Sequence, residues 1–125
     1  MVERAQLQAC IILVVEDEPL VSLCLAETLS AAGAYVVCAK RACDAIQSVD
    51  RFKVTAAVLD INLGDHDCAA VCLYLWERRI PFLFYTGYNA PLDGWHTVAV
   101  VKKPATPHDM TEAVVRLCAS HQQAA

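Results

Sequence analysis

Five residues stand out by type and by position: Glu16, Asp17, Asp60, Thr86 and Lys103. Each lies just past a short apolar run, namely Ile11–Val15, Thr55–Leu59, Phe82–Tyr85 and Thr97–Val101. Three carboxylates brought together repel one another and call for a cation. Hard oxygen donors suit Mg²⁺ (or Mn²⁺), which takes one or two carboxylates plus phosphate oxygens and keeps several waters. Such an ion neutralises charge as a phosphoryl group transfers. A carboxylate in the middle of the cluster can act as the nucleophile and become an aspartyl-phosphate, and Asp60 is the central one. The Lys103 ammonium can neutralise one phosphate oxygen and the Thr86 hydroxyl can hydrogen-bond another. Asn62, two residues past Asp60, can offer its backbone carbonyl to the metal, and its side chain with that of Tyr88 would flank the phosphoryl group.

Taken singly, each feature has a plainer explanation. Glu16-Asp17-Glu18-Pro19 alone reads as an acidic helix N-terminus favoured by the macrodipole. Asp60 alone is a loop cap and Thr86-Gly87 alone a turn. Lys103-Pro104 alone is an ordinary strand end, with Lys102 as a competing cation. What favours chemistry is that all of them fall at strand ends, in the order one mechanism needs.

The elements that must bring them together follow from periodicity. Ile11–Val15, Tyr35–Ala39, Thr55–Leu59, Phe82–Tyr85 and Thr97–Val101 read as strands. Between them, Leu20–Ala32 carries Val21, Cys24, Leu25, Thr28 and Ala32 at helical spacing and stops at Gly33. Ala42–Val49 presents Ala45, Ile46 and Val49 on one face, and His66–Arg78 is helical and richly apolar. In His108–Ser120 the stripe is Met110, Ala113, Val114, Leu117 and Cys118. Continuously apolar strands separated by helices imply a parallel sheet buried on both faces. The expected fold class is therefore α/β, a doubly wound five-stranded parallel sheet of flavodoxin type, order 2-1-3-4-5, with helices on both faces. In such sheets ligands bind at the carboxyl edge of the strands, which is where the five residues fall.

Composition narrows the function classes. At 125 residues, with 57% apolar and 19% charged, the chain should fold as one domain over 1–125 with a core at about 10–120. A net charge of −4 without a basic stripe argues against direct nucleic-acid binding. The longest apolar stretches, Ala9–Val15 and Ala69–Trp76, fall short of the roughly 18–20 residues of a membrane span, and the N-terminus lacks a signal-peptide layout. A cytoplasmic location is expected. Seven cysteines without a C-x-x-C pair read as reduced thiols, with Cys24, Cys38, Cys72 and Cys118 expected in the core. Cys68 and Cys72 stand one helical turn apart and could share a metal, but no set of further ligands at metal-site spacing accompanies them. His66, His96, His108 and His121 lack ligand spacing, and Tyr88, Trp95 and Trp76 read as packing residues. The helix at Ala69–Trp76 is apolar on more than one face, through deep packing or a dimer contact.

The motifs VVEDEP (Val14–Pro19), VLDINLG (Val58–Gly64), Thr86-Gly87 and KKP (Lys102–Pro104) resemble those of response-regulator receiver domains of two-component signalling, over Ile11 to about Cys118. The resemblance implies Mg²⁺ near Glu16, Asp17 and Asp60, transfer from a kinase phosphohistidine to Asp60, movement of Thr86 toward the phosphate, pairing with Lys103, and a cis Lys103-Pro104 bond. Gly87 and Pro104 are the supporting positions. The segment PFLFYTGY (Pro81–Tyr88) resembles the FATGUY subgroup, with Tyr85 where that group usually has Ala. That likeness implies a single-domain receiver partnered by HWE-type or related histidine kinases. Three departures stand out: a short Thr86–Lys103 stretch containing Pro91 and Gly94, Val100 in place of the usual aromatic switch residue, and Ala105 after Pro104. The first implies a shortened or missing fourth helix.

The expected function is thus a stand-alone receiver in a two-component phosphorelay, catalysing only its own phosphorylation and dephosphorylation. Its donor is a histidine kinase or a histidine phosphotransfer protein, and its output goes through an unknown downstream protein or a phosphate sink. On this view Thr86 and Lys103 reach the phosphate only when their loops reposition. A phosphorylation-independent interaction module is the main alternative. A flavin carrier would want a phosphate-binding loop where this chain has acids, and a Mg²⁺-dependent phosphohydrolase would want an acid where it has Asn62.

Overall fold

The structure, a computed structural model, describes residues 6–60, 67–87, 94–95 and 97–124. Its elements in chain order are β1 (Ile11–Val15), α1 (Pro19–Ala31), β2 (Tyr35–Ala39), α2 (Ala42–Arg51), β3 (Ala56–Leu59), α3 (Asp67–Glu77), β4 (Phe82–Thr86), β5 (Ala99–Lys102) and α4 (Pro107–Ala124). All neighbouring strands pair in parallel, in the order β2-β1-β3-β4-β5. This is the expected doubly wound sheet.

Strand alternation divides the core into two layers. Ile12, Val14, Ala56, Val58, Leu83 and Tyr85 face α1 and α4, meeting Leu25, Leu29, Met110, Val114 and Cys118. The residues between them, Leu13, Val15, Ala57, Leu59, Phe82 and Phe84, face α2 and α3, meeting Ala45, Val49, Val71, Cys72 and Leu75. Because side chains alternate with period two, a strand covered on both faces must be apolar throughout. β1, β3 and β4 obey this. The edge strands do not: in β5, Ala99, Val100 and Lys102 are exposed, and in β2, Tyr35 and Cys38 are. Burial on both faces, expected for all five strands, thus holds for the central three, over which the helices pack.

Local signals explain the helix ends. Pro19 opens α1 at a position where a missing N–H costs nothing. Gly33, at φ 106°, closes it: Gly33 N–H donates to the Ser30 carbonyl at 2.9 Å and Ala34 N–H to the Leu29 carbonyl at 3.1 Å. This is a Schellman ending, which favours glycine because its φ is positive. The buried stripe of α1 is Leu25 and Leu29, with Ala32 just beyond; Cys24, expected inside, is exposed. Cys38 is exposed as well, on the edge strand, whereas Cys10, Cys68, Cys72 and Cys118 are buried. The stripe of α4 is as expected, and the helix runs on to Ala124. Trp95 stacks edge-on against both Phe82 and Trp76, each at 5.7 Å, while Trp76 stays 61% exposed. The core begins before Cys10: Leu7 is fully buried, and its N–H donates to the Ala32 carbonyl at 2.9 Å.

Among the described residues there are four helices, with none between β4 and β5. The shortened helix expected there falls largely on residues 88–93 and 96, outside the described residues, as do Asn62 and Tyr88. No helix among the described residues is long and apolar enough to cross a membrane.

Candidate functional site

The ladder of the central strands continues one rung beyond the strands themselves. Asp60 N–H donates to the Val15 carbonyl and Glu16 N–H to the Ala39 carbonyl, both at 3.0 Å. These bonds pin the two acids side by side at the carboxyl edge, where both are 3% exposed. Asp17, next along, is exposed. One carboxylate oxygen from each of Glu16, Asp17 and Asp60 lies within 4.8 Å of the others. From the other side, the Lys103 N–H donates to the Thr86 carbonyl at 2.7 Å. Its ammonium stands 3.3 Å from Asp60 Oδ1 and 3.4 Å from Glu16 Oε1. Thr86 is fully buried at the end of β4, paired in register with Lys102. The Lys103-Pro104 bond is cis, as the resemblance implied.

These positions bring together Glu16, Asp17, Asp60, Thr86 and Lys103, with Gly87 and Pro104 adjoining in the chain. Of the two candidate lysines it is Lys103 that enters the cluster, while Lys102 ends β5 with an exposed side chain. In this arrangement the Lys103 ammonium already pairs with the Asp60 carboxylate itself.

The charges do not balance. Three carboxylates face one ammonium, leaving two negative charges in excess, which is what one divalent cation carries. Without a cation the cluster relieves itself by holding a proton. Burial pushes the Glu16 carboxyl up to about 7, helped by its hydrogen bond and repulsion with Asp60 and opposed by the Glu18 N–H and Lys103. The Glu18 N–H donates to Glu16 Oε2 at 3.1 Å. For Lys103, burial disfavours the charge, but attraction to Asp60 and Glu16 outweighs it and holds the ammonium above the ordinary lysine range. The donor set is all oxygen with a compensating need for positive charge, so it fits a hard divalent ion such as Mg²⁺.

The cysteines supply no second centre. Cys68 and Cys72 are buried together, and their mutual hydrogen bond, more than burial, pushes the Cys72 thiol up. Burial, with Cys10 beside it, pushes Cys118 up to about 12. Thiols held protonated in this way are poor nucleophiles and poor ligands. Among the described residues the acidic trio is the one group of three or more His, Cys, Asp or Glu side chains placed to hold an ion.

Sequence reasoning noted Tyr85 as a strand residue and as a departure from the FATGUY pattern, but missed it as a site residue. It is 7% exposed, its hydroxyl accepts the Ala105 N–H at 3.3 Å, and Lys103 Nζ lies 5.3 Å from its ring centroid. The available signal was a polar-tipped aromatic in an otherwise apolar strand (Phe82–Thr86).

No protein-family description and no curated protein matches this sequence. Solved structures do. A CheY-like receiver domain protein from Methanospirillum hungatei JF-1 superposes with a TM-score of 0.82 at 20% identity, covering 93% of this chain and 98% of that one. The response regulator PhyR from Brucella abortus gives 0.80 at 21% identity over 97% of this chain, which spans 53% of PhyR. TrrA from Thermotoga maritima, solved in complex with Mg(2+)-BeF, gives 0.76 at 23% identity, covering 86% of this chain and 98% of that one. At such identities the likeness is one of architecture, and it agrees with the strand order and the four helices. This chain has the fold of the response-regulator receiver domains.

Proposed function

We propose that the chain is a phospho-acceptor receiver, in which Asp60 takes a phosphoryl group in a Mg²⁺-dependent reaction (Mn²⁺ serving as well). The observation that carries this reading is the Lys103 ammonium 3.3 Å from Asp60, within a cluster of three carboxylates. Glu16, Asp17 and Asp60 would hold the ion, with the Asn62 carbonyl as a further candidate. When bound, the ion supplies charge neutralisation for the transferring phosphoryl oxygens.

This chain's own residues do the rest. Asp60 presents a carboxylate oxygen to phosphorus; the Asp60 O–P bond forms as the bond from phosphorus to the donor breaks, and the donor leaves with that electron pair. A phosphohistidine protonated on its other ring nitrogen is released as neutral imidazole with no further proton transfer, which suits a histidine kinase or phosphotransfer protein as donor. Lys103 offsets the added negative charge, and the Thr86 hydroxyl hydrogen-bonds a phosphoryl oxygen. Hydrolysis by water returns Asp60 and phosphate, so the only reaction catalysed is the domain's own phosphorylation and dephosphorylation. The likeness of Pro81–Tyr88 to the FATGUY segment makes HWE-type or related kinases the first donors to try. Output then passes through a downstream protein, or the domain drains phosphate from its kinase.

The test is intact-mass measurement after incubation with an acyl phosphate, with and without Mg²⁺, for the wild type and Asp60→Asn. One added phosphoryl group that needs Mg²⁺ and is lost in the variant is the expected result. If neither the acyl phosphate nor a phosphorylated histidine kinase produces it, the reading fails in favour of a phosphorylation-independent interaction module.

A further inference from the structure

Two consecutive residues of β4 hold the chain around Lys103. The Thr86 carbonyl accepts the Lys103 N–H at 2.7 Å, and one residue earlier the Tyr85 hydroxyl accepts the Ala105 N–H at 3.3 Å. Pro104, between the two, has no N–H to offer. On the same side, Lys103 Nζ lies 5.3 Å from the Tyr85 ring centroid, within cation–π range.

Packing alone does not account for this arrangement. Leu83, two residues earlier on the same face of β4, is an aliphatic side chain that is fully buried, so the layer itself asks for nothing polar at position 85. Ala105 and the Tyr85 ring also border an apolar groove of about 380 Å³, whose other walls include Leu20, Val21, Leu25 and Met110. Ala105 contributes only a methyl group to the packing on this layer and has open space beside it. Its N–H bond to Tyr85 is a directional hold that this packing does not supply.

We propose that Tyr85 is a positioning residue for Lys103, its hydroxyl tethering the chain at Ala105 and its ring flanking the ammonium, so that Nζ stands over Asp60 and Glu16. The proposal deepens the phospho-acceptor reading, on which its kinetic consequence rests. Its geometric content is independent of any phosphoryl chemistry, and both parts can be tested with Tyr85→Phe, which keeps the ring and most of the volume.

The first readout is by NMR on the unphosphorylated protein. In the wild type the Lys103 ε-protons should be shifted upfield by the ring and the Ala105 amide should be protected. In Tyr85→Phe the ε-protons should move toward the free-lysine position, and Ala105 exchange should speed up by about tenfold, as expected when one hydrogen bond is lost. The second readout is a double-mutant cycle on the rate of phosphoryl acceptance from an acyl phosphate. Tyr85→Phe should slow it about fivefold in the wild-type background and have no effect on top of Lys103→Gln, since the tether acts through the ammonium. Unchanged Lys103 and Ala105 signals in Tyr85→Phe, or equal slowing in both backgrounds, overturns the proposal. A wild type that accepts no phosphoryl group overturns the Asp60 reading instead, and the NMR readout then decides the role of Tyr85 by itself.

Discussion

Among the described residues, two charge clusters join different elements of the fold, and they differ chiefly in burial. At the carboxyl edge, Glu16 and Asp60 side chains are 1% and 4% exposed, and Lys103 is 22% exposed at 3.3–3.4 Å. Between α2 and α3, Asp50 and Arg78 side chains are 60% and 40% exposed at 3.9 Å. There the Tyr74 hydroxyl donates to Asp50, whose carboxylate oxygens lie 2.6 and 2.7 Å away, and the Arg78 guanidinium sits 3.4 Å over the Tyr74 ring. The distances are of the same kind, but water screens the outer cluster and barely reaches the inner one. Charges that water cannot screen must be matched by another charge or by a proton. The inner cluster is therefore held short of a cation, which is useful for a site and costly for the fold, while the outer cluster is an ordinary surface contact between two helices.

The largest effects should come from breaking the inner cluster. Asp60→Asn should abolish phosphoryl acceptance, and Lys103→Gln should slow it on the order of 10²–10³-fold, the usual loss for one group that neutralises developing charge. Acceptance rates from an acyl phosphate at saturating Mg²⁺ check both. In denaturant unfolding at pH 8 without metal, Lys103→Met should cost about 3 kcal/mol, because it leaves buried carboxylates uncompensated. Glu16→Gln should do the reverse, stabilising the metal-free protein by about 1 kcal/mol at pH 8 while weakening Mg²⁺ binding.

The same imbalance sets a pH dependence. Glu16 has its folded pKa raised from 4.5 to about 7, so the folded state holds this proton more tightly than the unfolded chain does. Its contribution to metal-free stability is complete below pH 4.5 and is lost as pH rises through about 7. Over the same window Mg²⁺ binding should strengthen with pH and release a proton, since the ion takes the ionised carboxylate. Titration calorimetry in two buffers of different ionisation enthalpy reads that proton directly. The smallest effect belongs to the outer cluster: Asp50→Asn should change stability by no more than about 0.5 kcal/mol and leave acceptance untouched.

What the sequence made legible follows the same division. The central strands are apolar on both faces, so the residue pattern alone locates their ends and the acids at those ends. Glu16 and Asp60 fall where the runs Ile11–Val15 and Thr55–Leu59 stop, and one further rung of the ladder fixes them there. The rotation of α1 was less legible: Cys24 and Leu29 are both apolar and near the stripe, and the fold buries Leu29 and exposes Cys24. The exposure of β5 was hidden too, because an edge strand can be as apolar as a central one (Ala99–Val101). Leu7 carried no periodic signal, being tied in by one long-range bond to Ala32. Tyr85 was invisible as a site residue because its contact to Ala105 depends on how β4 and the start of α4 meet, a tertiary fact with no local spacing.

The central claim is that the phosphoryl group resides on the Asp60 carboxylate. Borohydride reduction of the donor-treated protein, followed by peptide mapping, tests it most directly, since an acyl phosphate is reduced to the alcohol and an ordinary carboxylate is not. The account predicts homoserine at position 60, formed only when Mg²⁺ was present during donor treatment. Reduction at another acid, or phosphorylated protein with Asp60 intact, would contradict it.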